Sequence, residues 1–169
     1  MQFPVKRHTM SHLMNLQHFI SCRHADYGPG DDPELSENGR RQADQLGTLI
    51  KNIVGDAPRV ILSSTRRRAE QTAKIIADIL GLSPEDVRLT EALWNDMDHK
   101  GDITESARMV REQRESVVIA VSHRGMAESV ASTIWRDVAA SVHFFRALGR
   151  AEAWHIDVQG KTATFLEQK

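Results

Sequence analysis

"SVVIAVSHRG", residues 116–125, decides the fold. An unbroken run of apolar, mostly β-branched residues reads as a strand covered on both faces. It stops at His123-Arg124-Gly125, and helical spacing takes over from about residue 125 to 138. A buried strand running straight into a helix is half of a parallel βαβ unit. The same succession recurs upstream. "LQHFISC" (16–22) is a compact strand candidate. A helix over about 36–52 follows, with Ser36 as N-cap and Ala43, Leu46, Leu49, Ile50 and Ile53 at helical spacing. "RVILSS" (59–64) is a second short strand, and a helix over about 66–80 follows it, stopped by Gly81 with Pro84 just beyond. "VRLTEAL" (87–93) is a short third strand, 94–102 is polar loop, and 104–115 is helical. "AEAWHIDVQGKTATFLEQ" (151–168) alternates about a QGK turn, which predicts a terminal β-hairpin.

Strands alternating with helices specify an α/β fold: a three-layer α/β/α sandwich around a mainly parallel central sheet, ending in a C-terminal β-hairpin. The 169 residues suit one domain with a sizeable core. That domain is assigned to 14–169, behind an unstructured N-terminal tail of residues 1–13. His8 and His12 are spaced as metal ligands on a helix, but nothing else in the tail supports a metal site.

The net charge of −1 gives no global basic field for nucleic acid or anionic lipid, so a bound anion must be held by local charge. Cys22 is the only cysteine, which excludes an internal disulfide and a cysteine-rich zinc site. No apolar run reaches the roughly 20 residues of a membrane span. The N-terminus lacks the apolar stretch of a signal peptide, and a cytoplasmic location is expected.

In such a sheet, ligands collect beyond the carboxyl ends of the strands. The first strand ends at Arg23-His24, the second leads into Arg66, Arg67 and Arg68, and the fourth ends at His123-Arg124. The topology brings these to one edge. Two histidines and several arginines there make an oxyanion site, because the guanidinium fork donates paired hydrogen bonds to phosphate.

These segments carry a resemblance. "RHAD" (23–26) resembles the Arg-His-Gly/Ala signature of the histidine phosphatase superfamily, also called phosphoglycerate-mutase-like. "LSENGRRQADQLG" (35–47), "ILSSTRRRAEQTAKII" (61–76), "RLTEAL" (88–93) and "VIAVSHRGM" (118–126) are similar to its further motifs, in the family's order, over about 16–135. The short chain resembles the small SixA-type phosphohistidine phosphatases. The resemblance implies that His24 is the nucleophile, that Arg23 and Arg68 bind phosphate, that His123 donates to the phosphoryl oxygens, and that Glu91 is the proton donor. Asp96 or Asp98 stands close enough in sequence to replace Glu91. Arg124 stands where many members have glycine and is placed to touch substrate, whereas Arg66 and Arg67 read as a solvated helix start.

The implied activity is a metal-independent phosphatase with a phosphohistidine intermediate and no cofactor. Its partner is a phosphorylated substrate, either a phosphohistidine protein or a small phosphomonoester, with no nucleic acid or membrane. A small ester would want a lid, for which the 94–102 loop is the candidate. A cysteine phosphatase needs Cys-x5-Arg, but the residue six beyond Cys22 is Gly28. Two other classes compete. One is a non-catalytic phosphate-binding module. The other is a helix-turn-helix in residues 73–93, whose recognition helix would carry the acidic Glu85, Asp86 and Glu91 and so repel DNA.

Overall fold

The computed structural model describes residues 13, 15–97 and 99–168. Strands β1 (His18–Arg23), β2 (Arg59–Ser64), β3 (Arg88–Thr90) and β4 (Val117–Ser122) run parallel, and β5 (Ala153–Asp157) and β6 (Thr162–Leu166) form the expected hairpin. The six-stranded sheet has the order β3-β2-β4-β1-β5-β6, with β5 antiparallel to β1. β4 lies between β1 and β2 and is buried along its whole length, which is why its sequence is a continuous apolar run.

Helices α1 (Glu37–Val54) and α2 (Arg67–Ile79) cover one face, where Ile119 and Val121 of β4 meet Leu46, Ile50 and Ile76. Helices α3 (Ile103–Arg111) and α4 (Met126–Ala139) cover the other, where Val118 and Ala120 meet Val130 and Ile134. The period-2 alternation along β4 therefore feeds two cores. Each fully buried Ile, Leu or Phe contributes about 1.5–3 kcal/mol relative to exposure. Among the described residues, no helix is long and apolar enough to cross a membrane.

The start of α1 is strapped to the loop after β1. Ser36 caps the helix by accepting the Gly39 N–H at 3.0 Å, and its own N–H donates to the Asp26 carbonyl. A Cβ on Gly39 would lie 1.8 Å from the Asp26 carbonyl oxygen. Gly39→Ala gains up to about 1 kcal/mol of helix propensity. It must nevertheless displace backbone two residues from His24, and overpacking costs about 1–3 kcal/mol or more. The expected result is a net loss of stability in urea melts together with reduced activity. A stabilised, fully active variant would contradict this packing.

Three expectations are corrected. Helix α3 ends at Arg111 rather than near 115, because Ser116 is already committed to the sheet. The Ser116 carbonyl accepts from Gln17 and its hydroxyl donates to Pro58, so the intervening residues must span between layers. The third strand shrinks to β3, because Thr90 caps a 3-10 turn at Glu91–Leu93. The helix-turn-helix reading of 73–93 fails: after α2 the chain makes one 3-10 turn, Pro84–Asp86, and then pairs β3 with β2, leaving no recognition helix. The expected tail of residues 1–13, with His8 and His12, lies almost wholly outside the described residues.

Candidate active site

The carboxyl ends of β1 and β4 are joined by backbone. The His24 N–H donates to the Ser122 carbonyl at 2.9 Å, which sets His24 and His123 on adjacent strands as each strand stops. Their rings stand edge-to-face with centroids 5.1 Å apart, and each residue is only 3% exposed. His24 Nδ1 lies 2.8 Å from the Ala25 carbonyl oxygen. A carbonyl only accepts, so Nδ1 carries the proton and Nε2 keeps its lone pair.

Arg68, in the first turn of α2, spans both histidines. Its Nε–H donates to His24 Nε2 at 3.2 Å and its Nη2–H reaches His123 Nδ1 at 3.4 Å. His123 Nε2 meets the Ser64 hydroxyl at the end of β2 at 2.9 Å. A guanidinium only donates, so His123 Nδ1 accepts and its Nε2–H donates to the Ser64 hydroxyl. Arg23 donates through Nη1 to the Leu148 carbonyl at 2.9 Å, while its buried Nε has no hydrogen-bond partner among the described residues. An unpaired buried guanidinium N–H is costly unless an anion meets it.

Tyr27 closes one side. Its ring stands edge-on to His24, with the Arg68 and Arg150 guanidiniums 5.1 and 4.7 Å from its centre, and Arg150 is ion-paired with Asp26. Arg23, His24, Tyr27, Arg68, His123 and Arg124 line a cavity of about 310 Å³ together with Asn95, Asp96 and Met97; Arg150 stands behind Tyr27.

Residues 21–114, 94 of the 169, match the histidine phosphatase superfamily (branch 1). The chain belongs to that superfamily. Solved structures of similar fold include the protein histidine phosphatase SixA complexed with tungstate (19% identity, TM-score 0.65, 89% of this chain and 94% of that one). The putative phosphohistidine phosphatase SixA of Agrobacterium tumefaciens is another (17%, 0.63, 89% and 95%). A third is mycobacterial glucosyl-3-phosphoglycerate phosphatase complexed with VO3 (19%, 0.62, 83% and 92%). No curated protein matches by sequence. The phosphoglycerate-mutase-like histidine phosphatase fold expected from the sequence is thus the one observed, and membership in the superfamily supports phosphatase activity.

Arg23, His24, Arg68, His123 and Arg124 all line the one cavity. Glu91 does not: it is exposed at the start of the 3-10 turn after β3. Asp96 does line it, accepting from Trp94 Nε1 at 2.5 Å and from the His99 N–H at 3.0 Å, with Arg66 Nη2 at 3.5 Å. Asp98 lies outside the described residues. Arg67 is exposed, as a solvated helix start should be. Arg66 is half-buried rather than fully solvated. It lies over the Trp94 ring, 4.7 Å from its centre, and faces Asp32 as well as Asp96, so it joins the 29–32 loop to the 94–99 loop. Cys22 is fully buried and burial pushes its thiol up, away from thiolate chemistry. The sequence reading missed Tyr27, Asn95 and Arg150. None belongs to a periodic pattern or a motif, and Arg150 reaches Asp26 only through tertiary packing.

Burial, joined by the charges of Arg68, Arg23 and Arg150, lowers the His24 pKa to about 3 against the Ala25 bond that raises it. Burial, then His24 and Arg68, lower His123 to about 3. Both imidazoles are neutral at neutral pH, as a nucleophile must be. In the unfolded chain they titrate near 6.5, so between pH 6.5 and about 3 the unfolded state binds more protons than the native one. Stability is therefore present above pH 6.5 and lost as pH falls, by about 1.4 kcal/mol per pH unit for each such proton. Urea melts across that window are expected to show the slope, and His24→Asn should lower it by one proton. An unchanged slope would remove His24 from the account.

Proposed function

We propose that the chain is a metal-independent phosphatase that carries the phosphoryl group on His24 before passing it to water, with a phosphohistidine-bearing protein as substrate. The observation that carries this reading is the lone pair on His24 Nε2, fixed by the Nδ1–H bond to Ala25 at the wall of a cavity lined by guanidiniums; it accepts from Arg68 Nε and becomes the attacking pair when Arg68 turns to the phosphoryl oxygens. Nε2 attacks phosphorus, and the bond to the leaving group breaks with its electron pair going to that group. Water then attacks the phosphohistidine, the P–Nε2 bond breaks, and the pair returns to Nε2. Arg23, with its unpaired Nε–H, and Arg68 offset charge on the phosphoryl oxygens. His123 Nδ1 accepts from Arg68 before substrate binds; once Arg68 turns to the phosphoryl oxygens and the Ser64 hydroxyl donates to His123 Nε2, Nδ1–H donates to the same oxygens.

Asp96, rather than Glu91, is the carboxyl proposed to meet the leaving group, because it lines the cavity. A leaving imidazole whose second nitrogen carries a proton leaves as the neutral ring and asks little of an acid. The rim supports a protein substrate: Arg124 and Met97 line the cavity yet stay exposed, Met97 by 98%, so its mouth stands open.

The test is phosphate release in EDTA from a phosphohistidine-bearing protein and from para-nitrophenyl phosphate. Release from both is expected, with kcat/KM favouring the protein. Preference for the ester would select the small-molecule reading. Oxyanion binding without turnover on either would leave a phosphate-binding module.

A further inference from the structure

We propose that Glu128 is a positioning residue that holds Arg23 and the His123 loop in register; this rests on the reading of both as phosphate ligands. Glu128 sits in the first turn of α4 and is only 9% exposed. Its two oxygens go to different places. Oε2 accepts the Gly125 N–H at 2.6 Å, two residues beyond His123. Oε1 accepts the Leu148 N–H at 2.6 Å, in an irregular segment between α4 and β5. The carbonyl of that same Leu148 accepts from Arg23 Nη1 at 2.9 Å. One carboxylate thus ties the end of β4 to the backbone unit on which the Arg23 guanidinium rests.

A plain helix cap explains only half of this. An N3 glutamate reaching back to the N-cap N–H is half a capping box. Gly125 has no side chain to complete it and sits at φ 84°, a conformation suited to glycine. The bond to Leu148 satisfies no helix terminus. It satisfies a buried N–H in a segment without ladder bonds, and short charge-assisted bonds of this kind fix geometry most firmly. The carboxylate also counters the charges of Arg124 and Arg150 felt by Arg23. Phosphoryl transfer depends on positioning, so a guanidinium released from its rest should bind oxyanion less well and catalyse less well.

A double-mutant cycle tests this, with Glu128→Ala and Arg23→Ala made singly and together, and Glu128→Gln added as an isosteric variant that keeps one acceptor. The readouts are the Kd for inorganic phosphate and kcat/KM for para-nitrophenyl phosphate. Glu128→Ala is expected to weaken phosphate binding by about 10-fold in the wild-type background, on the scale of a lost positioning contact, and by less than about 2-fold once Arg23 is already alanine. Glu128→Gln should fall between. Equal effects in both backgrounds would overturn the proposal, since general loosening does not depend on Arg23. An Arg23→Ala variant with unaltered phosphate affinity would instead sink the reading of Arg23 on which the proposal stands.

Discussion

His24→Ala is expected to lose turnover by ~10⁴-fold or more, the scale seen when a covalent nucleophile is removed, while still binding inorganic phosphate. The two halves of this expectation come from different atoms. Turnover needs the Nε2 lone pair, and alanine has none. In the proposed mechanism phosphate binding rests on Arg23, Arg68 and His123, and each of these side chains has an anchor independent of the His24 ring. Arg23 rests on the Leu148 carbonyl, His123 on the Ser64 hydroxyl, and Arg68 lies over Tyr27. The variant therefore separates a nucleophile from a structural residue, because a merely structural histidine would take binding down with catalysis. Wild-type protein quenched during turnover of labelled substrate should carry phosphate bound at Nε2 of His24, stable to alkali and labile to acid, and His24→Ala should carry none. Label on another residue, or turnover within about 10-fold of wild type, would overturn the mechanism.

The parts of the molecule legible in the sequence are those that repeat or alternate. Residues 60–62 and 117–121 are apolar and mostly β-branched because β2 and β4 are covered on both faces, and the helices between them keep 3.6 spacing because each buries one side. The histidine and arginine positions were legible because a parallel sheet puts its strand ends on one edge. What was not legible depends on where loops go. Glu91 follows a strand, as an acid in the site should, but Thr90 caps a tight turn and the glutamate stays outside the cavity. Asp96 reaches the cavity because the following loop folds back, with the Asp96 N–H donating to the His99 carbonyl and Arg66 facing the carboxylate. Arg66 reads locally as the first turn of a helix, and its partners at 31, 32, 94 and 96 carry no periodic signal. Glu128 reads as an ordinary helix N3 residue until the 140–149 segment is placed against it.

Arg68→Ala is expected to lower kcat/KM by about 10³-fold, the upper range for removing a preorganised donor at developing charge, and to move the acid limb of its pH profile upward. The size follows from the number of tasks on one side chain. The guanidinium donates to His24 Nε2, reaches His123 Nδ1 and packs over Tyr27, so its loss removes a phosphoryl ligand and loosens both imidazoles together. Arg68→Lys keeps the charge but not the planar fork, and should recover only a small part of the loss. The direction of the pH effect follows from charge. After burial, the positive charge of Arg68 is among the causes that hold His24 and His123 at about 3. Without it, both pKa values rise toward the ordinary 6.5, and at any given acid pH a larger fraction of His24 is protonated and unable to attack. In Arg68→Ala the fall in kcat/KM on acidification should therefore begin at higher pH than in wild type. Arg68→Lys should keep the limb close to its wild-type position despite its low rate, because an ammonium replaces the charge. A limb that stays in place in Arg68→Ala would mean that burial alone sets the protonation state of His24 and that Arg68 acts only as a ligand.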